Sequence, residues 1–150
     1  MKLAQALSDR ADLQTRIEVL RERLVANAKV QEGEAPAEDP AELMAQLEDC
    51  TTALETLITR INLTNAATLA DGETLTAKLA RRDCLGRRIE VLRAFASSAS
   101  ATVMRGTRSE IKIKSTLPVA PLQKQIDALA KQLRELDARI QELNWTTELQ

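Results

Sequence analysis

Seven positions near the end of the chain, Leu122, Ile126, Leu129, Leu133, Leu136, Ile140 and Leu143, follow alternating spacings of four and three. That spacing returns a side chain to the same face of an α-helix every turn or so, and it is incompatible with the twofold alternation of a strand. A second seam repeats it 79 positions earlier, at Leu43, Leu47, Cys50, Leu54, Leu57, Ile61 and Thr64. The other half of the chain repeats as well. Arg16-Ile17-Glu18-Val19-Leu20-Arg21 recurs as Arg88-Ile89-Glu90-Val91-Leu92-Arg93, 72 positions on. Leu3, Leu7, Arg10 and Leu13 fall on Leu75, Leu79, Arg82 and Leu85 at the same offset. A helical unit used twice accounts for both offsets, the second copy having the longer connection.

The expected fold is therefore all-α, with four long antiparallel helices arranged as two repeated helical hairpins in a single domain over 1–150. The helices are expected near 2–27, 40–69, 74–104 and 119–144. Asp39-Pro40-Ala41-Glu42 reads as a helix start, with a side-chain cap followed by proline in the first turn. Asp71-Gly72 marks a tight break. Ile111 and Ile113 alternate with Lys112 and Lys114, so that segment and Lys29-Val30-Gln31-Glu32 are candidates for a short two-stranded β-ribbon between the connections. A composition 44% apolar and 29% charged, with Phe95 and Trp145 the only aromatics, fits long helices better than a sheet.

The absence of histidine removes imidazole bases and imidazole metal ligands, and no cysteine pair motif or glycine-rich phosphate loop is present. These absences favour a protein without enzymatic activity, cofactor or metal. A formal charge of −1 with both signs interspersed makes no case for nucleic acid or an anionic membrane. No apolar run reaches the ~18 residues of a membrane-spanning helix, and no export signal opens the chain, so a cytoplasmic location is expected. Cys50 and Cys84 then read as reduced, mostly buried helical thiols. Long hairpins bury little per residue, and a second copy of the chain is the expected source of the missing face.

Four polar residues stand out as determinants of register and assembly. Arg10 and Arg82 put charge into equivalent seam positions, Asn27 interrupts the first seam, and Arg108 faces the acidic connection 28–39. A second group, Arg60, Asn62 and Asn65 with Arg81, Arg82 and Asp83, is a candidate pocket for a carboxylate or phosphate. Capping and inter-helix hydrogen bonding account for the same residues without a ligand.

Several words of this sequence resemble the septicolysin-like family of small bacterial helical proteins. They include Asn27-Ala28-Lys29-Val30-Gln31-Glu32-Gly33-Glu34, Arg60-Ile61-Asn62 with Thr64-Asn65, Leu79-Ala80-Arg81-Arg82-Asp83, Arg108-Ser109-Glu110-Ile111-Lys112 and Leu143-Asn144-Trp145-Thr146-Thr147. The resemblance spans nearly the whole chain. It implies a helical protein that self-associates, with a hexamer among the assemblies it allows, and the family label implies a cytolysin. No segment alternates over the ~9–11 residues of a membrane strand, so pore formation would fall to the helices. Three readings stay open at this level: a self-associating scaffold, a pore-forming protein, and an anion-binding protein or enzyme with a pocket near Arg82.

Overall fold

A computed structural model describes residues 1–102 and 112–150. Among these residues the protein is all-α, with four helices packed in pairs and one small two-stranded antiparallel sheet. The helices are α1 (Leu3–Ala26), α2 (Pro40–Ala67), α3 (Leu75–Ser100) and α4 (Val119–Thr146). Each expected helix is present within a few residues of its expected ends. The chain divides into two compact units, Met1–Leu75 with Glu142–Gln150, and Thr76–Gln141. The expectation of a single domain drew no boundary there.

In the first unit, α1 and α2 meet along the seams read from the heptads. Leu20, Leu43 and Cys50 are buried, and Leu13, Ile17, Leu24 and Leu47 pack against them. Within the repeated hexapeptide only Ile17 and Leu20 enter this core, while Arg16, Glu18, Val19 and Arg21 are exposed. Asp39 caps α2 by accepting from the Ala41 amide at 2.9 Å, and Pro40 occupies the first turn, where its missing N–H costs nothing. At the far end of α2, Leu69–Ala70 (β1) pairs with Glu73–Thr74 (β2) in the register Leu69 to Thr74 and Ala70 to Glu73. Asp71 and Gly72 form the two-residue loop at φ 55° and 83°. Positive φ at both central residues matches the twist of a hairpin, and Asp-Gly is a preferred pair for it.

The second unit repeats the plan. Ile89, Ala96, Leu122, Ile126 and Leu129 are buried between α3 and α4, with Leu85, Leu92, Leu117, Ala130 and Leu133 against them. Ile89 and Leu92 again carry the hexapeptide into the core, and Arg88, Glu90, Val91 and Arg93 remain exposed.

Two expectations need correction. The short sheet is the hairpin at 69–74, whereas Lys29–Gln31 and Lys112–Lys114 form no strand. Ile111 lies outside the described residues. The ribbon expectation rested on local alternation, while the Asp71-Gly72 turn has the backbone geometry that closes a ladder. Cys84 is exposed, although Cys50 is buried as expected.

Candidate functional site

In the second unit, α3 and α4 leave a groove of about 750 Å³ lined by Arg82, Asp83, Gly86, Arg87, Glu90, Leu133, Arg134 and Asp137. Its opening is helped by Gly86, where a β-carbon would meet nothing within 4 Å. Three guanidinium groups face three carboxylates, so the groove has no excess of either charge. The half-buried Arg82 is committed on two sides. Its Nε donates to Asp83 Oδ1 at 3.0 Å, and its Nη1 lies 3.8 Å from Asp137 Oδ1. The seam arginine thus spans from α3 to α4, the geometry of a residue that holds two helices in register.

Arg10, its counterpart in the first unit, meets different chemistry. At the 79-residue offset, the position equivalent to Asp137 is Ile58. Arg10 is half-buried, and its Nε is buried with no hydrogen-bond partner among the described residues. The repeat carried the arginine into both hairpins and the acid into one.

Asn27 closes α1. Its amide donates to the Arg23 carbonyl at 2.9 Å, and its Oδ1 accepts from the Glu38 amide at 3.0 Å. The Glu38 carboxylate pairs with the Arg23 guanidinium through both oxygens. That hydrogen bonding holds Glu38 below the usual carboxylate range and raises Arg23. Asn27 therefore sets the connection between α1 and α2. Arg108 lies outside the described residues, as does Arg105.

The candidate pocket residues divide between the units. Arg60, Asn62 and Asn65 lie on α2 in the first unit, and Arg81, Arg82 and Asp83 on α3 in the second. Arg60 Nε donates to the Gln150 carbonyl at 2.8 Å. One turn on, the buried Thr64 hydroxyl donates to the Arg60 carbonyl and accepts from the Gln150 amide at 3.0 Å. Asn62 is exposed and Asn65 half-buried. Arg60 is thus a clasp for the 147–150 segment, a role sequence reasoning missed because its partner lies 90 residues away. The same segment ties down the start of α1. Leu3 N–H donates to the Thr147 carbonyl, Leu149 N–H to the Met1 carbonyl, and Glu148 pairs with the Lys2 ammonium and the α-amino group. Lys2, then the α-amino group, holds the Glu148 carboxyl below its ordinary range.

The first unit has its own groove, about 580 Å³, in which Asp9, Glu48 and Asp49 outnumber Arg60. The imbalance extends well beyond it. The first unit holds 16 acidic against 7 basic residues, a formal charge of −9, and the second 14 basic against 6 acidic, a charge of +8. The two units cancel to −1, so the chain as a whole looks evenly mixed. Summing charge hairpin by hairpin exposes the split. Among the described residues no group of three or more carboxylates and thiols is placed to hold a metal ion. No described helix is long and apolar enough to cross a membrane.

Comparison with known proteins extends the fold more than the chemistry. The chain is similar to a functionally unknown conserved protein from Corynebacterium diphtheriae, known from its crystal structure. The two are 42% identical and superpose with a TM-score of 0.94 over 100% of this chain and 99% of that one. No curated protein matches. Residues 10–149 match a family of unknown function, DUF6847, and with nearly the whole chain inside that span the chain belongs to this family.

Proposed function

We propose that this protein is a non-enzymatic helical scaffold that assembles with copies of itself. The observation that carries this reading is the placement of its aromatics. Phe95 and Trp145, the only two in the chain, are 44% and 67% exposed, and among the described residues neither belongs to the buried core. Large aromatic side chains are the most effective contributors of buried area, and on a surface they mark protein interfaces. Val91 on α3 and Met44 and Leu63 on α2 stand exposed as well. Two-helix hairpins bury one stripe per helix, and the backs of these helices keep apolar residues that a partner would cover. The septicolysin-like resemblance points the same way. Both cysteines are free, which fits a reducing, cytoplasmic setting.

Sedimentation velocity across the micromolar range tests the reading. Species heavier than the 16.6 kDa chain are expected, and they should lighten in a Phe95→Ser, Trp145→Ser double variant with unchanged helical circular dichroism. A single 16.6 kDa species at every concentration would refute it.

A further inference from the structure

We infer that the acidic α1–α2 hairpin of one copy docks on the basic α3 face of a second copy, so that assembly is driven by the charge split between the units. This rests on the self-association proposed above and names its surfaces. Part of the split lies on two helices. Within α2, Glu42, Glu48, Asp49 and Glu55 face a single base, Arg60, and within α3 six bases face two acids. On α3, Arg87, Arg88 and Arg93 are exposed, and on α2 so are Glu48, Asp49 and Glu55. None of these six takes part in an ion pair among the described residues. They are charges of opposite sign that form no ion pair, on different units.

The patches also carry apolar side chains. Val91 and Phe95 share a side of α3 with Arg87 and Arg88, and Met44 lies one turn before Glu48 on α2. Apolar groups among unpaired charges suit a protein surface, which can cover both. A polyanion would satisfy the arginines alone, and the chain has almost no aromatic platform for bases. The complement of a +8 unit is moreover present, at −9, in every copy of the same chain. A free polyanion approaching the basic unit must also approach a molecule of net charge −1, which gives it little long-range attraction. Opposed patches of this kind steer encounter and select the register of docking, and their contribution falls as salt screens them.

Charge reversal tests the pairing. One variant carries Arg87→Glu, Arg88→Glu and Arg93→Glu, and the other Glu48→Lys, Asp49→Lys and Glu55→Lys. Each alone sets like charge against like and should lose about tenfold or more in self-association. An equimolar mixture should recover it, because the reversed basic face of one then meets the reversed acidic face of the other. Circular dichroism checks that both remain helical. If either does not fold, the neutral versions (Arg→Gln, Glu→Gln and Asp→Asn at the same positions) carry the same test at smaller amplitude. Raising salt from about 0.05 M to about 0.5 M should weaken the wild-type assembly as screening shortens to a few ångströms.

A wild-type chain that stays at 16.6 kDa overturns self-association itself, and this pairing with it. A wild type that assembles while either reversed variant assembles as tightly overturns the pairing alone, as does a mixture that fails to recover. Retardation of a labelled DNA duplex by the wild type, lost in the arginine variant whose self-association is intact, would assign the basic face to a polyanion instead.

Discussion

Thr64 has the most consequential hydroxyl in the first unit. It is fully buried, and it accepts a hydrogen bond from the Gln150 amide at 3.0 Å. A Thr64→Val substitution keeps the shape and removes that acceptor, so a loss of about 1–2 kcal/mol is expected in urea unfolding. An unchanged midpoint would mean that this hydrogen bond contributes nothing to stability. Glu38 and Glu148 give the chain a defined response to acid. Both are held below their ordinary values by cationic partners, so the folded state binds protons there less readily than the unfolded state. The stabilisation is present above the ordinary glutamate value of 4.5 and is lost as pH falls through the depressed folded values. The melting temperature should drop below pH 4.5 and drop less steeply in a Glu38→Gln, Glu148→Gln double variant. Parallel curves for the two proteins would remove these carboxylates from the account.

At the level of helices, Gly86 carries a cost with no visible return inside the chain. Glycine within a helix is destabilising by roughly 0.5–1 kcal/mol relative to alanine, and a β-carbon here would meet nothing within 4 Å. Gly86→Ala should therefore raise stability by about that amount, read from thermal or denaturant unfolding. A lower stability would place a neighbour at this spot that α3 and α4 do not supply. The Arg82–Asp137 pair aligns the same two helices at 3.8 Å with both side chains partly exposed. Its coupling energy in a double-mutant cycle should be small, about 1 kcal/mol or less, because solvent screens the pair. Its value lies in register, and a coupling well above that range would recast it as a main source of stability. Helix positions, seams and the capped start at Asp39 were legible in the sequence because each depends on residues within one or two turns. The little sheet is less legible, and alternation points to 29–32 and 111–114 instead. Alternation is a weak signal over four residues, while Asp71-Gly72 marks a break in sequence without revealing the strands it joins.

Across the whole chain, the charge split is the property most easily overlooked. A net charge of −1 describes a chain whose two units carry −9 and +8. Trp145 reports on what that surface does. It is the only tryptophan, and at 67% exposure its fluorescence should sit near that of a solvated indole in dilute solution. If assembly covers it, emission will shift to shorter wavelength as concentration rises, and a spectrum that ignores concentration would take Trp145 out of the interface.

The sequence by itself determined that the chain is all-α, that it is built from one hairpin plan used twice, and which stripe of each helix faces its neighbour. These follow from spacing, and spacing is local. Only the tertiary structure decided what the polar residues do. Arg82 finds Asp137, while the Nε of Arg10, its twin in the repeat, finds no hydrogen-bond partner among the described residues, and the position equivalent to Asp137 is Ile58. Arg60 is taken up by a backbone carbonyl 90 residues away, and Thr64 by an amide 86 residues away. A heptad says which way a side chain points along its own helix. What waits there is set by a segment distant in sequence, and long-range contact alone brings the two together.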